Sequence, residues 1–462
     1  MRQRSPFPSV RTYPARPSGS RRLGLARLAA IALLAGALAA PAAPVRAATL
    51  LSETTWGGTG SEITNGTAVA PDGSTYLAGV TFSFDPNGRD AVFLVKLGTD
   101  GTLTWQRTWT GPQINPFFRA DQASAVAVAP DESVYVVGST FGDRGDMLIL
   151  KFSSDGSLIW QRRWGSSVTE RASAVAVGAD GSIYVVGGAT NPDDGSSNLV
   201  VLKFAPDGSV VWQKAWGPSG GGEAVAVGPD GNIYVAGVQA RPGAISGADM
   251  VLLKVDPAGN LIWQRAYSAA EIVDSRGGVA AASDGSVYVS GALMDTRRTV
   301  VVDAALVKFT ADGSLVWDRG WGGRSGDLPG AVRVAPDGTV LWAGETNSFG
   351  AGIDDAYLLR MSSGGRALES NTWGGTGIDH GEGIDVAPAG TISLGATTET
   401  ASHVFQRSAT KTSRLRGTVT TPANAFVDAV GTAVDAGGTV ATPPGTSPGG
   451  GGFDAALVRI GP

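Results

Sequence analysis

The stretch Ala123–Gly165, ASAVAVAPDESVYVVGSTFGDRGDMLILKFSSDGSLIWQRRWG, carries the pattern from which the fold follows. It opens on alternating small residues, turns at Pro130-Asp131-Glu132, and runs on through VYVVG. After a loop it continues as DMLILK, turns again at Asp155-Gly156 and ends in LIWQRRWG. Alternation with a period of two marks strands, and an Asp-Gly pair between two such runs marks a tight hairpin. The stretch therefore predicts four antiparallel strands, a to d. Strand a is made of small side chains and suits a crowded centre, whereas strand d carries large rings and suits a spacious outside. Sheets that fan around an axis need that gradient, and radial repetition of four-stranded sheets is the β-propeller.

Working outward, the pattern recurs. Its first turn falls at Asp72, Asp131, Asp180, Asp230, Asp284, Asp337, Ala389 and Ala436, at intervals of 47 to 59 residues. This gives eight units, approximately 67–109, 123–164, 172–216, 223–267, 276–321, 330–373, 382–425 and 429–460. Residues 49–57 (TLLSETTWG) read as the end of a unit, and the last unit stops after Asp454–Arg459, one strand short. The N-terminal strand is therefore expected to complete the last blade and close the ring, removing exposed sheet edges. The expectation is an all-β propeller of eight four-stranded antiparallel blades, in one domain over 48–462. Seven blades is the alternative if 382–425 forms none of its own, since His403–Arg416 lacks a clean c strand and Thr439–Gly452 is rich in Gly and Pro.

Trp56-Gly57-Gly58, Tyr76-Leu77-Ala78-Gly79, Asp90 to Lys96 and Asp100-Gly101, with their downstream counterparts, resemble the bacterial SBBP (seven-bladed β-propeller) repeat family. The resemblance spans roughly 49–462 and is closest up to Trp373.

Composition agrees with many short strands and tight turns: 67 of 462 residues are Gly and 17% are charged. The chain has no Cys, which excludes disulfides and thiolate chemistry. Residues 1–47 hold eight Arg and no acid, then an apolar run Leu28–Leu38 and an A-x-A-like end at Val45-Arg46-Ala47. That is the anatomy of a signal peptide, with cleavage expected after Ala47. Ser20-Arg21-Arg22-Leu23-Gly24-Leu25 resembles a twin-arginine signal, and the general export route stays open beside it. The expected product is exported, to the periplasm, the cell surface or the medium. It has no span of ~20 apolar residues that would cross a membrane as a helix. Removing eight positive charges from a chain at −5 leaves −13, the wrong sign for a nucleic-acid partner.

Residues that recur in every unit maintain the blade; a functional site is made once. Trp105 and Trp109, Trp160 and Trp164, and Trp212 and Trp216 are expected to pack between blades, with Arg107, Arg162 and Lys214 stacking on them. Trp160→Ala is expected to cost ~3–5 kcal/mol. The Asp-to-Lys strands are assigned to contacts between blades or with loop backbone. An acid also recurs ten residues before the first turn, at Glu62, Asp121, Glu170, Asp274, Asp327 and Asp379, with Glu223 and Asp428 near equivalents. These form a candidate carboxylate ring for Ca2+ around one mouth of the channel, the alternative being caps for loop amides.

Both tight turns of a unit emerge on one face, so the longer connections emerge on the other, which is the candidate binding face. Its most individual side chains are Phe117, Phe118 and Arg119, with Arg297 and Arg298. The two His residues form no metalloprotease motif. The sequence is read as an exported, monomeric, non-catalytic binding or structural module for a protein, glycan or cell-surface component. No cofactor is required by any motif. The alternative is a propeller enzyme, either a quinone-dependent dehydrogenase or a glycan-cleaving enzyme that uses paired channel acids.

Overall fold

The computed structural model describes residues 47–85, 88–112, 121–140, 145–217, 220–241, 247–274, 277–295, 301–443 and 452–461, with backbone only at 270–274, 295 and 301. Every regular element among them is a strand. The expected hairpins form for the expected reason. In the first turn of blade 1, Asp72 Oδ1 accepts from Ser74 N and Oγ at 2.8 and 2.6 Å. Gly73 takes φ +83°, a left-handed value that a side chain would strain, and its N–H returns to Ala70 O at 2.9 Å.

The sheets form seven blades, so the count of eight is corrected. Blades 1 to 6 start with strands a at Glu62–Val69, Gln122–Val128, Thr169–Val177, Gly220–Val227, Val279–Ala281 and Asp327–Val334. They end with strands d at Leu103–Thr110, Leu158–Gly165, Val210–Gly217, Leu261–Asp274, Leu315–Trp321 and Ala367–Gly374. Blade 7 orders Asp379–Val386, Ile392–Thr398, Asp454–Gly461 and Thr49–Trp56. The N-terminal strand thus closes the ring as expected. What read as two final units is one blade interrupted between its second and third strands.

The interruption is a belt. From blade 7 the chain runs back around the outside and lays a short fifth strand on strand d of each remaining blade. Val404–Arg407 pairs with blade 6, Thr412–Ser413 with blade 5 and Thr418–Thr420 with blade 4. Ala425–Asp428, Thr432–Val434 and Thr439–Ala441 follow on blades 3, 2 and 1. The turn at Ala436-Gly437, counted as the eighth, lies in this belt. Its register is regular: Phe405, Thr412, Val419, Phe426, Ala433 and Val440 oppose Trp373, Trp321, Tyr267, Trp216, Trp164 and Trp109. One step of seven residues, at most roughly 23–25 Å when extended, carries the chain from one blade to the next.

Each belt strand is seated by the rings beneath it. A Cβ on Gly417, Gly431 or Gly438 would lie 2.2, 2.2 or 2.3 Å from Tyr267, Trp164 or Trp109, so these positions admit no side chain. At the same point of the first step, the His403 ring stacks on Trp373 with centroids 4.2 Å apart. Glutamines tie belt and blades together. Gln213 accepts from Trp164 Nε1 of the preceding blade at 2.8 Å and donates to Ala429 O and Gly431 O of the belt at 2.8 and 3.2 Å. Gln106, Gln161 and Gln264 make the same bridge. In blade 5 Asp318 replaces Gln, accepting from Tyr267 Oη and from the belt amides of Leu415 and Gly417.

Contacts between blades account for the other recurring residues. Trp160 Nε1 and Lys151 Nζ both donate to Pro206 O in the next blade's c–d turn, at 3.0 and 3.2 Å, while Arg162 Nε donates to Gly208 O at 3.2 Å and stacks on Trp160. Blades 1 and 4 repeat this with Trp105, Lys96 and Arg107, and with Trp263, Lys254 and Arg265. Lys214 differs, pairing with Asp428 of the belt at 2.6 Å. The two tryptophans of a strand d are not equally deep: Trp164 is 1% exposed under the belt, whereas Trp160 stands half-buried at the rim. On burial, the larger truncation cost is expected at Trp164 rather than at Trp160.

Candidate functional site

Glu62, Asp121, Glu170, Asp327 and Asp379 each accept hydrogen bonds from the loop of their own blade. Glu62 accepts from Gly58 N at 2.8 Å and Thr81 Oγ1 at 2.7 Å; Asp121 accepts from Gly111 N and Thr140 Oγ1, both at 2.7 Å. Glu170 takes Ser166 N at 3.0 Å and the Ser166 hydroxyl. Asp327 takes Gly323 N at 2.8 Å, Ser348 Oγ at 2.7 Å and the Thr346 hydroxyl. Asp379 takes Gly375 N at 2.6 Å and the Thr398 hydroxyl. In the blades where the threonine is present, the carboxylate fastens the loop entering strand a to the end of strand b. Burial pushes the carboxyls of Glu62, Glu170 and Asp327 above the ordinary acid range, against the pull of these hydrogen bonds. Asp274 ends the long strand d of blade 4, in register with Ala292 of blade 5. Phe117, Phe118, Arg119, Arg297 and Arg298 lie outside the described residues.

All seven blades line a central cavity of about 690 Å3. Its walls are the first halves of strands a, so it belongs to the end of the ring where the longer connections enter. Inside five of the strands a the pairing register skips one residue, between Thr64 and Gly66, Ala123 and Ala125, Ala172 and Ala174, Gly222 and Ala224, and Gly381 and Gly383. The skipped residues Asn65, Ser124, Ser173, Glu223 and Glu382 all line the cavity. A bulge re-aims a side chain, and in these five blades one residue is turned inward and differs from blade to blade. Glu223 is therefore a cavity residue rather than a loop cap, and Asp428 belongs to the belt.

The polar groups gather on blades 6 and 7. His380 and Glu382 sit on strand a of blade 7, opposite Glu345 on strand b of blade 6, Val340–Thr346, and Asp354 in the loop after it. His380 Nε2 lies 3.4 Å from Glu345 Oε2 and 3.6 Å from Asp354 Oδ2, and its Nδ1 lies 3.9 Å from Glu382 Oε1. One donor atom from each of Glu345, His380 and Glu382 falls within 4.8 Å of the others, a group able to hold a metal ion. Arg333, paired with Asp385 at 3.5 Å, and Arg171 of blade 3 add positive charge to the wall.

From the sequence, His380 and His403 carry no metal triad; the fold supplies one around His380 through Glu345 and Glu382. The signal was His380-Gly381-Glu382: two ligating side chains at i and i+2 on a strand share a face. No such signal announces Glu345 or Asp354, which come from the neighbouring blade.

A family model described as a β-propeller domain of unknown function (DUF5122) matches residues 178–210, from the first to the second tight turn of blade 3. No curated protein matches the sequence. Among solved structures, the chain is similar to a polysaccharide lyase with TM-score 0.46 and 8% identity, over 79% of this chain and 89% of the other. It is similar to a glucose dehydrogenase with TM-score 0.38 and 14% identity, over 64% and 96%. It is also similar to a gluconolactonase from Xanthomonas campestris with TM-score 0.34 and 14% identity, over 76% and 95%. Likenesses at these scores carry no argument about activity. Among the described residues no helix is long and apolar enough to cross a membrane.

Proposed function

We propose that the chain is an exported β-propeller of SBBP-like repeats that binds an oxygen-rich envelope glycan at the long-loop mouth of its central cavity. The observation that carries this reading is the sorting of residues by radius. The recurring Trp, Lys and Arg are engaged between blades and the recurring acids fasten loops within them, while the inward bulge residues differ from blade to blade. In one sector the bulge residue Glu382 stands with Glu345 and Asp354 around the imidazole of His380. A general base needs one ring nitrogen open to its substrate; both nitrogens of His380 face carboxylates. The 3.4 Å from Nε2 to Glu345 Oε2 is near the ~3.3 Å between ligands of a tetrahedral ion with bonds of about 2.0 Å, and Glu382 completes a group of donor atoms within 4.8 Å of one another. A Zn2+-like cation held there would supply a Lewis-acidic anchor for ligand hydroxyls or carboxylates.

The test is equilibrium dialysis of the purified chain against Zn2+, with metal analysis and a glycan array run in parallel. One retained equivalent, with glycan binding lost in His380→Ala while the melting temperature holds, is the expected result. Glycan binding that ignores both metal and His380 would move the site to the loops. No binding to any envelope glycan would overturn the reading. The enzyme reading uses the same imidazole and is decided by turnover of aldoses with added quinone, or of polysaccharides, that His380→Ala abolishes.

A further inference from the structure

Five interfaces between blades share one contact. Trp105, Trp160, Trp212, Trp263 and Trp317 each donate the indole N–H to a carbonyl in the next blade's c–d turn, at 3.0–3.1 Å. Blade 6 breaks the pattern by placing Glu369, an acceptor, where the tryptophan should be. Its neighbour explains the exchange. Blade 7 has no c–d turn, because Asp454–Gly461 and Thr49–Trp56 come from distant parts of the chain. The turn's place is held by Ala48, whose N donates to Glu369 Oε2 at 3.0 Å. Acceptor thus replaces donor at the interface where the opposite group is a nitrogen.

Both partners are buried, Ala48 at 9% and Glu369 at 6% exposure. Glu369 remains short of donors: Arg360 Nη1 stands 3.6 Å from Oε2 and Arg407 Nε 3.2 Å from Oε1, yet Oε1 completes no hydrogen bond. A peptide nitrogen offers one proton here; an α-ammonium offers three, and a full positive charge to set against the buried carboxylate. The sequence independently predicts the bond that would free it, after Val45-Arg46-Ala47.

We infer that hydrolysis of the Ala47–Ala48 bond turns Ala48 into a structural ligand, its α-ammonium locking blade 7 onto Glu369 of blade 6. In that step a signal peptidase adds water across the amide. The hydroxyl goes to the Ala47 carbonyl and the proton to the Ala48 nitrogen, which takes up a further proton from solvent. Export processing thereby tightens a ring that strand pairing has already closed.

The test compares the chain starting at Ala48 with the same chain carrying Val45-Arg46-Ala47 in front. The Ala48 form is expected to melt higher by about 2 °C or more, and Glu369→Gln is expected to erase the difference. Should Glu369→Gln fail to fold, Nα-acetylation of the Ala48 form serves instead and is expected to lower its melting temperature to that of the extended chain. The exported protein is expected to begin at Ala48 by mass. Equal melting of free and extended chains, a difference that survives Glu369→Gln or acetylation, or a different start would each overturn the inference.

Discussion

The two rims of this ring are built on opposite rules. At the outer rim one arrangement repeats from blade to blade: a ring at the end of strand d, an acceptor in the next blade receiving it, and a belt strand seated on top. At the inner rim five blades each present one bulged residue, and asparagine, serine and glutamate take turns there. Uniformity marks the groups that carry packing between blades; variation marks the groups released from it. The difference locates the candidate site at His380, Glu345, Asp354 and Glu382, where variation concentrates chemistry on two adjacent blades.

The strongest way to break this comparison is at the outer rim. Trp164 is buried beneath Ala433 and donates to Gln213 at 2.8 Å. Trp164→Ala is expected to cost ~3–5 kcal/mol in chemical denaturation, against roughly half that or less for the half-exposed Trp160→Ala. Equal costs would mean that the belt adds nothing to the depth of the inner ring. Next comes the belt itself. Gly431→Ala places a methyl 2.2 Å from the Trp164 indole, and overpacking of this kind costs about 1–3 kcal/mol. A variant as stable as the parent would show the belt lying loosely on the blades.

The smallest effect separates two kinds of acid. Asp327 is buried with a raised pKa, so its share of stability is present when it is protonated, below the ordinary ~4, and falls as pH rises through its higher folded value. Asp180, in a tight turn, is held low first by the Ser182 amide, so its share is present above ~4 and is lost as pH falls through the lowered value. Melting from pH 3 to 7 should therefore show Asp327→Asn gaining on the parent as pH rises and Asp180→Asn losing ground. Parallel profiles would dismiss the distinction.

Much of this architecture is legible in the sequence. The alternation of Ala174–Val177 and the Asp-Gly turns specify hairpins locally, and the stray TTWG at Thr54–Gly57 betrays ring closure. The belt is not legible in the same way, because strands of two to four residues leave no period-two run. Its stride is present nonetheless in Phe405, Val419, Phe426 and Val440, spaced by seven or fourteen, with Thr412 and Ala433 interrupting the apolar signal. The eighth turn is a false positive of the same origin: Gly437 takes φ +67°, as a hairpin glycine does, but serves a belt corner. Glu345 meeting His380 depends on the packing of two blades, which no local pattern encodes.

Blade 7 has a consequence for the order of assembly. Asp454–Gly461 is the bridge between Ile392–Thr398 and Thr49–Trp56, and it is synthesised about 400 residues after its partner at the N-terminal side. Until it arrives, blades 1 to 6 form an open arc with unpaired edges, and the belt must already have travelled the circumference to deliver it. Contacts of such sequence separation form slowly. A chain without Asp454–Gly461 would leave the edges of Ile392–Thr398 and Thr49–Trp56 unpaired, and unpaired edges are templates for association with other chains.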